Sequence, residues 1–163
     1  MKTITHAMLE SLRDDALESP RRRKNLNLHP RLDDPVQRFF NAMEPDTYAR
    51  PHRHEGDTRW ELFIVFSGAA SVLVFEANGT VRERIDLESD GPTYGVEIPG
   101  DTWHTVLCRE PGTVVFEIKQ GPYHPLSDKD FADWAPPEGS PDVAKFLAWY
   151  REAVEGSRPP RWG

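Results

Sequence analysis

The sequence predicts an all-β barrel or sandwich carrying one helix at each end. Short runs rich in β-branched and aromatic residues recur at regular spacing between turn residues, which is the signature of consecutive antiparallel strands. The run Val81 to Leu87 alternates apolar and charged side chains, as a strand does with one face in water. Apolar residues at helical spacing stand before Pro20 and again after Ser140.

In chain order, Thr5 is placed to cap a helix whose apolar positions are Met8, Leu9, Leu12 and Ala16 and which stops before Pro20. The basic run Arg21–Lys24 leads into Asn25–His29, where Leu26 and Leu28 alternate with three polar residues, so one face packs and the other offers hydrogen bonds. Val36 to Met43 is the next strand, and Pro45-Asp46 turns the chain toward Pro51-His52-Arg53-His54. A polar loop over Glu55–Arg59 separates this segment from the apolar run Trp60 to Phe66, and the two are expected to pair as a hairpin. Ser71 to Phe75 and Val81 to Leu87 flank Ala77-Asn78-Gly79-Thr80, where Asn-Gly suits a turn of positive φ. Tyr94 to Ile98, Trp103 to Arg109 and Thr113 to Lys119 complete the strands.

From Gly121 to Pro141, prolines, glycines and acidic residues make an ordered wrap or a linker, and Phe131, Trp134 and Ala135 favour the wrap. Ser140 then caps a helix with Pro141 at its first position and an apolar stripe of Val143, Phe146, Leu147, Tyr150 and Val154. The last eight residues are expected to fray.

A chain of 163 residues fits one domain, with the N-terminal helix in 1–20, the barrel and its arm in 21–124 and the wrap and final helix in 125–163. Net charge is −7, which opposes general binding to nucleic acid or an anionic membrane. The single cysteine, Cys108, excludes an internal disulfide and reads as a buried small side chain. Neither an apolar leader nor a run approaching membrane-spanning length is visible, so a cytoplasmic location is expected.

Chemistry concentrates in three histidines. On an extended chain, His52 and His54 project to one side and would grip a single ion. His104 arrives just after the Pro99-Gly100-Asp101 turn, and Glu61 opens the strand following the loop. Three imidazoles and one carboxylate suit Zn, Fe, Mn or Ni alike. The competing reading of Glu61 is an ion pair with Arg53 or Arg59, and Glu117 is a reserve ligand. His6 falls in the first turn of the first helix and is given no role.

His-x-His, then Glu, then Gly68, then Pro99 and His104 are similar to the paired motifs of the cupin superfamily of small β-barrels. The wider text resembles the WbuC-type cupins from about Ser19 to Gly139. It does so through Ser19-Pro20-Arg21-Arg22-Arg23, Asn27-Leu28-His29, Pro51 to His54, Trp60 to Phe63, Glu97-Ile98-Pro99 and Trp103-His104-Thr105. Phe116 to Lys119, Gly121-Pro122-Tyr123 and Phe131 to Pro136 extend it. Three departures stand out: six residues separate His54 from Glu61 where the general pattern has three or four, Asp101 replaces a usual glycine and Cys108 a usual asparagine.

The resemblance implies a single cupin, a double-stranded β-helix or jelly-roll barrel, holding one divalent transition metal on His52, His54, Glu61 and His104. It also implies a pocket for a small polar or anionic molecule, for which Asn27, His29, Arg38 and Tyr123 are the candidate lining residues. The implied activity is that of a metal-dependent isomerase, epimerase, lyase or oxygenase on a sugar or sugar-nucleotide of surface polysaccharide metabolism. A metal-containing binding or sensory protein without turnover is the alternative. No side chain is assignable as a general base from sequence. Exposed sheet faces and edges suggest a homodimer.

Overall fold

The computed structural model describes residues 1–56 and 59–163. Helix α1 (His6–Glu18) precedes eight strands: β1 (Arg23–Asn27), β2 (Val36–Met43), β3 (Glu61–Ser67), β4 (Ala69–Phe75), β5 (Val81–Glu88), β6 (Gly95–Ile98), β7 (Trp103–Cys108) and β8 (Thr113–Gln120). A short 3-10 turn at Asp128–Asp130 and helix α2 (Val143–Glu152) follow. The strands form two antiparallel sheets, one in the order β1-β2-β8-β3-β6 and the other β5-β4-β7. Two such sheets with a short helix at each end make a jelly roll of the cupin type.

Strand alternation divides the side chains into three apolar groups. Between the sheets lie Met43, Phe63, Val65, Val72, Val74, Leu87, Ile98 and Val115. The neighbours of these residues along each strand face outward. Phe40, Ala42 and Val114 on the larger sheet meet Leu9, Leu12 and Ala16 of α1, which shields that face from water. On the smaller sheet, Leu73, Phe75 and Leu107 meet Phe146, Leu147 and Tyr150 of α2, with Ala132 and Ala135 of the wrap between. The order through the molecule is therefore α1, larger sheet, smaller sheet, then wrap and α2.

Local signals account for the joints. Thr5 Oγ1 accepts the Met8 N–H at 3.3 Å, and α1 ends at Ser19, before Pro20. Gly68 links β3 to β4 at φ +79°, where a Cβ would lie 2.5 Å from Thr113 Oγ1. No other residue type fits there without displacing β8. Gly79, at φ +84°, makes the Asn-Gly turn, and a Cβ on it would strike Trp134.

Several expectations need correction. The segment Pro51–His54 does not pair with β3 as a hairpin. His52 instead exchanges backbone hydrogen bonds with His104 at 3.0 and 2.9 Å and bridges Phe131. α2 begins after Asp142 rather than at Pro141, and Val154 lies beyond its end at 61% exposure while Ala153 takes the buried place. The last residues are tied down: Val81 N–H donates to Ser157 O, Gly156 N–H to Val81 O, and Lys145 Nζ to Arg161 O. The basic run is also committed. Arg21 and Arg23 both pair with Glu138 of the wrap, and Arg22 pairs with Asp46. Cys108 is buried, and burial pushes its thiol up to about 11. No helix is long and apolar enough to cross a membrane among the described residues.

Phe146 is fully buried against the outer face of the smaller sheet. Phe146→Ala is expected to cost ~3–5 kcal/mol by urea denaturation. Val154→Ala is expected to stay within ~0.5 kcal/mol. Equal losses at the two positions would contradict this packing.

Candidate metal centre

The inward positions change character toward one end of the barrel. On β8 they run Val115, Glu117, Lys119; on β3, Val65, Phe63, Glu61; on β7, Cys108, Val106, His104; on β2, Met43, Asn41, Phe39, Gln37. Register stacks these residues in rungs. Lys119 lies opposite both Glu61 and Gln37, and Glu117 lies opposite both Phe63 and Phe39. The sheets enclose an apolar half and a polar half, and the histidines join the polar half.

His52, His54, Glu61 and His104 each offer one ligand atom, all within 4.8 Å of one another. His104 is placed by β7, and the double backbone bridge to His104 places His52. The Asp101 N–H donates to His54 O at 2.9 Å, holding the second histidine against the turn before β7. Asp101 adopts φ +57°, the left-handed conformation that a glycine tolerates best and that aspartate accepts better than most residues.

The imidazole hydrogen bonds define the donor set. His52 Nδ1 lies 3.0 Å from Arg50 O, and His104 Nδ1 lies 2.8 Å from Thr102 O. A carbonyl only accepts, so both rings carry a proton at Nδ1 and keep the Nε2 lone pair for another partner. His104 Nε2 sits 3.1 Å from Glu61 Oε2, and His54 Nε2 sits 2.8 Å from Glu61 Oε1. The His54 contact lacks hydrogen-bond alignment, and this buried nitrogen has no hydrogen-bond partner among the described residues. The His104 lone pair facing a carboxylate oxygen is repelled unless positive charge lies between them, and a divalent cation supplies it. The donor set therefore fits a transition metal.

The electrostatics agree. Burial opposes ionisation of Glu61, yet the Lys119 ammonium, 2.7 Å from Oε1, holds its carboxyl well below the usual range. Burial also pushes His52 down to about 3, with His104 adding to the effect, so its imidazole is neutral and ready to ligate. Glu117 goes the other way: burial raises it to about 7, and Lys119 offsets only part of that. The Glu61 contacts replace the sequence alternative of an Arg53 or Arg59 pair. The Arg53 guanidinium instead stacks on Trp103, 4.9 Å from the ring centre.

A cavity of about 200 Å³ opens beside the centre, lined by His52, His54 and Glu61 together with Trp60, Tyr123 and His124. A neighbouring cavity is lined by Asn25, Asn27, His29, Gln37, Lys119 and Tyr123. Asn27, His29 and Tyr123 thus stand together in this neighbouring cavity, and of the three only Tyr123 also lines the cavity beside the centre. His29 is partly engaged, since its Nδ1 accepts the Arg38 N–H at 3.1 Å. Arg38 does not join them, because its side chain leaves the opposite face of β2 toward Asp34 at 3.9 Å. Its neighbour Gln37 faces the site instead. Sequence reasoning missed Gln37, Asn41 and Lys119; the parity of β2 and β8 carried the signal, since each is an even number of residues from Met43 or Val115.

The sequence family described as "Domain of unknown function (DUF6016)" matches residues 4–87. Among curated proteins, none matches the chain in sequence. In fold, the plu4264 protein of Photorhabdus luminescens aligns over 74% of this chain and 87% of its own, with 18% identity and a TM-score of 0.50. KdgF from a Halomonas species aligns over 69% and 86%, with 18% identity and a TM-score of 0.48. A cupin-2 domain containing protein of Shewanella frigidimarina aligns over 60% and 80%, with 15% identity and a TM-score of 0.45. The likeness is one of fold.

Glu117 gives this centre a pH signature. Its carboxyl is raised from 4.5 to about 7 in the folded chain, so the cost of burying its charge is absent at low pH and complete above about 7. Glu117→Gln removes that cost. In metal-free protein, the stability of the variant relative to the parent is expected to rise by about 2 kcal/mol between pH 5 and pH 8, since each tenfold change in proton affinity is worth about 1.36 kcal/mol. A pH-independent difference in urea midpoints would contradict the assignment.

Proposed function

This chain belongs to the family described as a domain of unknown function, DUF6016, a description that names no chemistry, and we propose that it is a metal-dependent enzyme acting on a small polar molecule. One divalent transition metal, Zn, Fe, Mn or Ni, is held by His52, His54, Glu61 and His104. The observation carrying this reading is the pair of imidazole nitrogens, on His54 and His104, set close against the two oxygens of a single buried carboxylate.

Three imidazoles and one carboxylate leave positions free on a five- or six-coordinate ion, which would polarise a substrate oxygen. The chain's own residues do the rest. Lys119 holds Glu61 ionised and oriented. Glu117, within the same polar half, exchanges a proton near neutrality, as an acid–base group of an isomerase, epimerase or lyase must. Gln37, Gln120 and Tyr123 offer neutral hydrogen-bonding groups at the cavity wall, which supports a hydroxyl-bearing substrate. The narrower reading, a sugar or sugar-nucleotide of surface polysaccharide metabolism, extends the resemblance to WbuC-type cupins.

Elemental analysis of protein purified without chelator is expected to give about one equivalent of metal per chain. His104→Ala is expected to weaken uptake by more than the ~10–100-fold that loss of a ligand's outer partner costs, while the exposed His6→Ala leaves it unchanged. Less than about a tenth of an equivalent, with no uptake of added Zn, Mn, Fe or Ni, would overturn the proposal. A full metal complement with bound ligand and no turnover, even with Fe(II) and dioxygen present, would reassign the chain as a binding or sensory protein.

A further inference from the structure

The barrel interior holds a second polar feature that the metal ligands leave unused. A cavity of about 420 Å³ reaches from the wall formed by His52 and Glu61 inward between β1, β2 and β8. Its size falls within the range of small-molecule sites, and Phe39, Phe63 and Val106 give it apolar walls. Into it face Asn41 and Glu117, each only 7% exposed. Asn41 Nδ2 donates to Glu117 Oε1 at 3.2 Å. The carboxyl partner fixes which end of the amide points away, and Asn41 Oδ1 accepts no hydrogen bond among the described residues.

A buried amide oxygen without a donor is a position that a ligand hydroxyl completes. Beside it, the carboxyl group of Glu117 accepts from a hydroxyl when ionised and donates to one when protonated. Two such groups, joined to each other and opening on one cavity, match two neighbouring hydroxyls on one carbon chain. A carboxylate or phosphate oxygen does not fit there, since it would set an acceptor against Asn41 Oδ1. The phenyl rings of Phe39 and Phe63, which flank Glu117 on the same sheet, suit the C–H face of a polyhydroxylated ring.

We infer that Asn41 and Glu117 form a diol-recognition site for a polyhydroxylated small molecule whose other end reaches the metal centre. This deepens the proposed function and rests on it for the role of the metal, while the hydroxyl contacts stand independently. Beside Asn41 Oδ1 it selects a hydroxyl over a carboxylate or phosphate oxygen, while Arg21, Arg23, Lys24 and Lys119 line other parts of the cavity.

Saturation-transfer NMR and calorimetry on the full chain, with D-glucose, D-galactose and myo-inositol against succinate and inorganic phosphate, test the inference. Metal content is measured on the same samples. At least one of the polyhydroxylated probes is expected to bind, and Asn41→Leu is expected to weaken it by at least ~10-fold without changing metal content. Should Asn41→Leu fail to fold, Glu117→Leu is expected to give the same loss. Any effect of succinate or phosphate is expected to survive both substitutions. Binding of no polyhydroxylated probe, or equal binding by parent and variants, overturns the inference. One equivalent of metal without such binding overturns the inference alone, whereas binding retained after chelation supports it even where the metal reading has failed.

Discussion

A carboxylate shut away from water stays ionised only beside compensating positive charge, and the polar half of this barrel is arranged around that constraint at Glu61. The residue is 2% exposed, at the first position of β3. Lys119 reaches one oxygen from the facing rung of β8, and His54 and His104 approach both oxygens from the other side. A single lysine neutralises one charge but does not relieve the His104 lone pair directed at the same carboxylate. A divalent cation does both. The register of β3 with β8 and the backbone bridge from His52 to His104 act together, because a slip in either would leave Glu61 buried against the wrong partners.

The same strands serve stability and chemistry by dividing their length. Toward one end of the barrel the inward residues are valines, leucine and phenylalanine, whose burial stabilises the sheets. Toward the other end, the same faces present Gln37, Asn41, Glu61, His104, Glu117 and Lys119. The outward faces are covered on both sides, by α1 on one sheet and by α2 with the wrap on the other. This double cover keeps the sheets rigid, so the polar groups are held on strands rather than on loops. The wrap adds its own restraint, since Phe131 bridges His52 and the Arg50 guanidinium donates to Ala132 O and Ala135 O.

Much of this was legible from local patterns. The strand β2 is bounded as the apolar run suggested, Thr5 and Pro20 delimit α1, and the histidines with Glu61 converge as their placement at turn-to-strand junctions implied. The misses share a cause: each depends on a non-local contact. Pro51–His54 carries a pattern fit for a hairpin, but its partner is β7, fifty residues on. Arg38 and Gln37 are adjacent, and only the pairing of β2 with β8 decides which one faces inward. Lys119 closes a strand in the sequence, and only the pairing of β8 with β3 sets it opposite Glu61. The basic run Arg21 to Lys24 is committed by another distant contact, since Glu138, over a hundred residues away, claims two of its guanidinium groups.

Anomalous X-ray diffraction at the absorption edge of the bound metal, from crystals grown without chelator, tests the central claim most directly. The account predicts one strong anomalous peak per chain, within bonding distance of imidazole nitrogens from His52, His54 and His104 and of a Glu61 oxygen. A peak seated on other side chains, or a crystal without one in which Glu61 and the three histidines keep these contacts unaided, would contradict it.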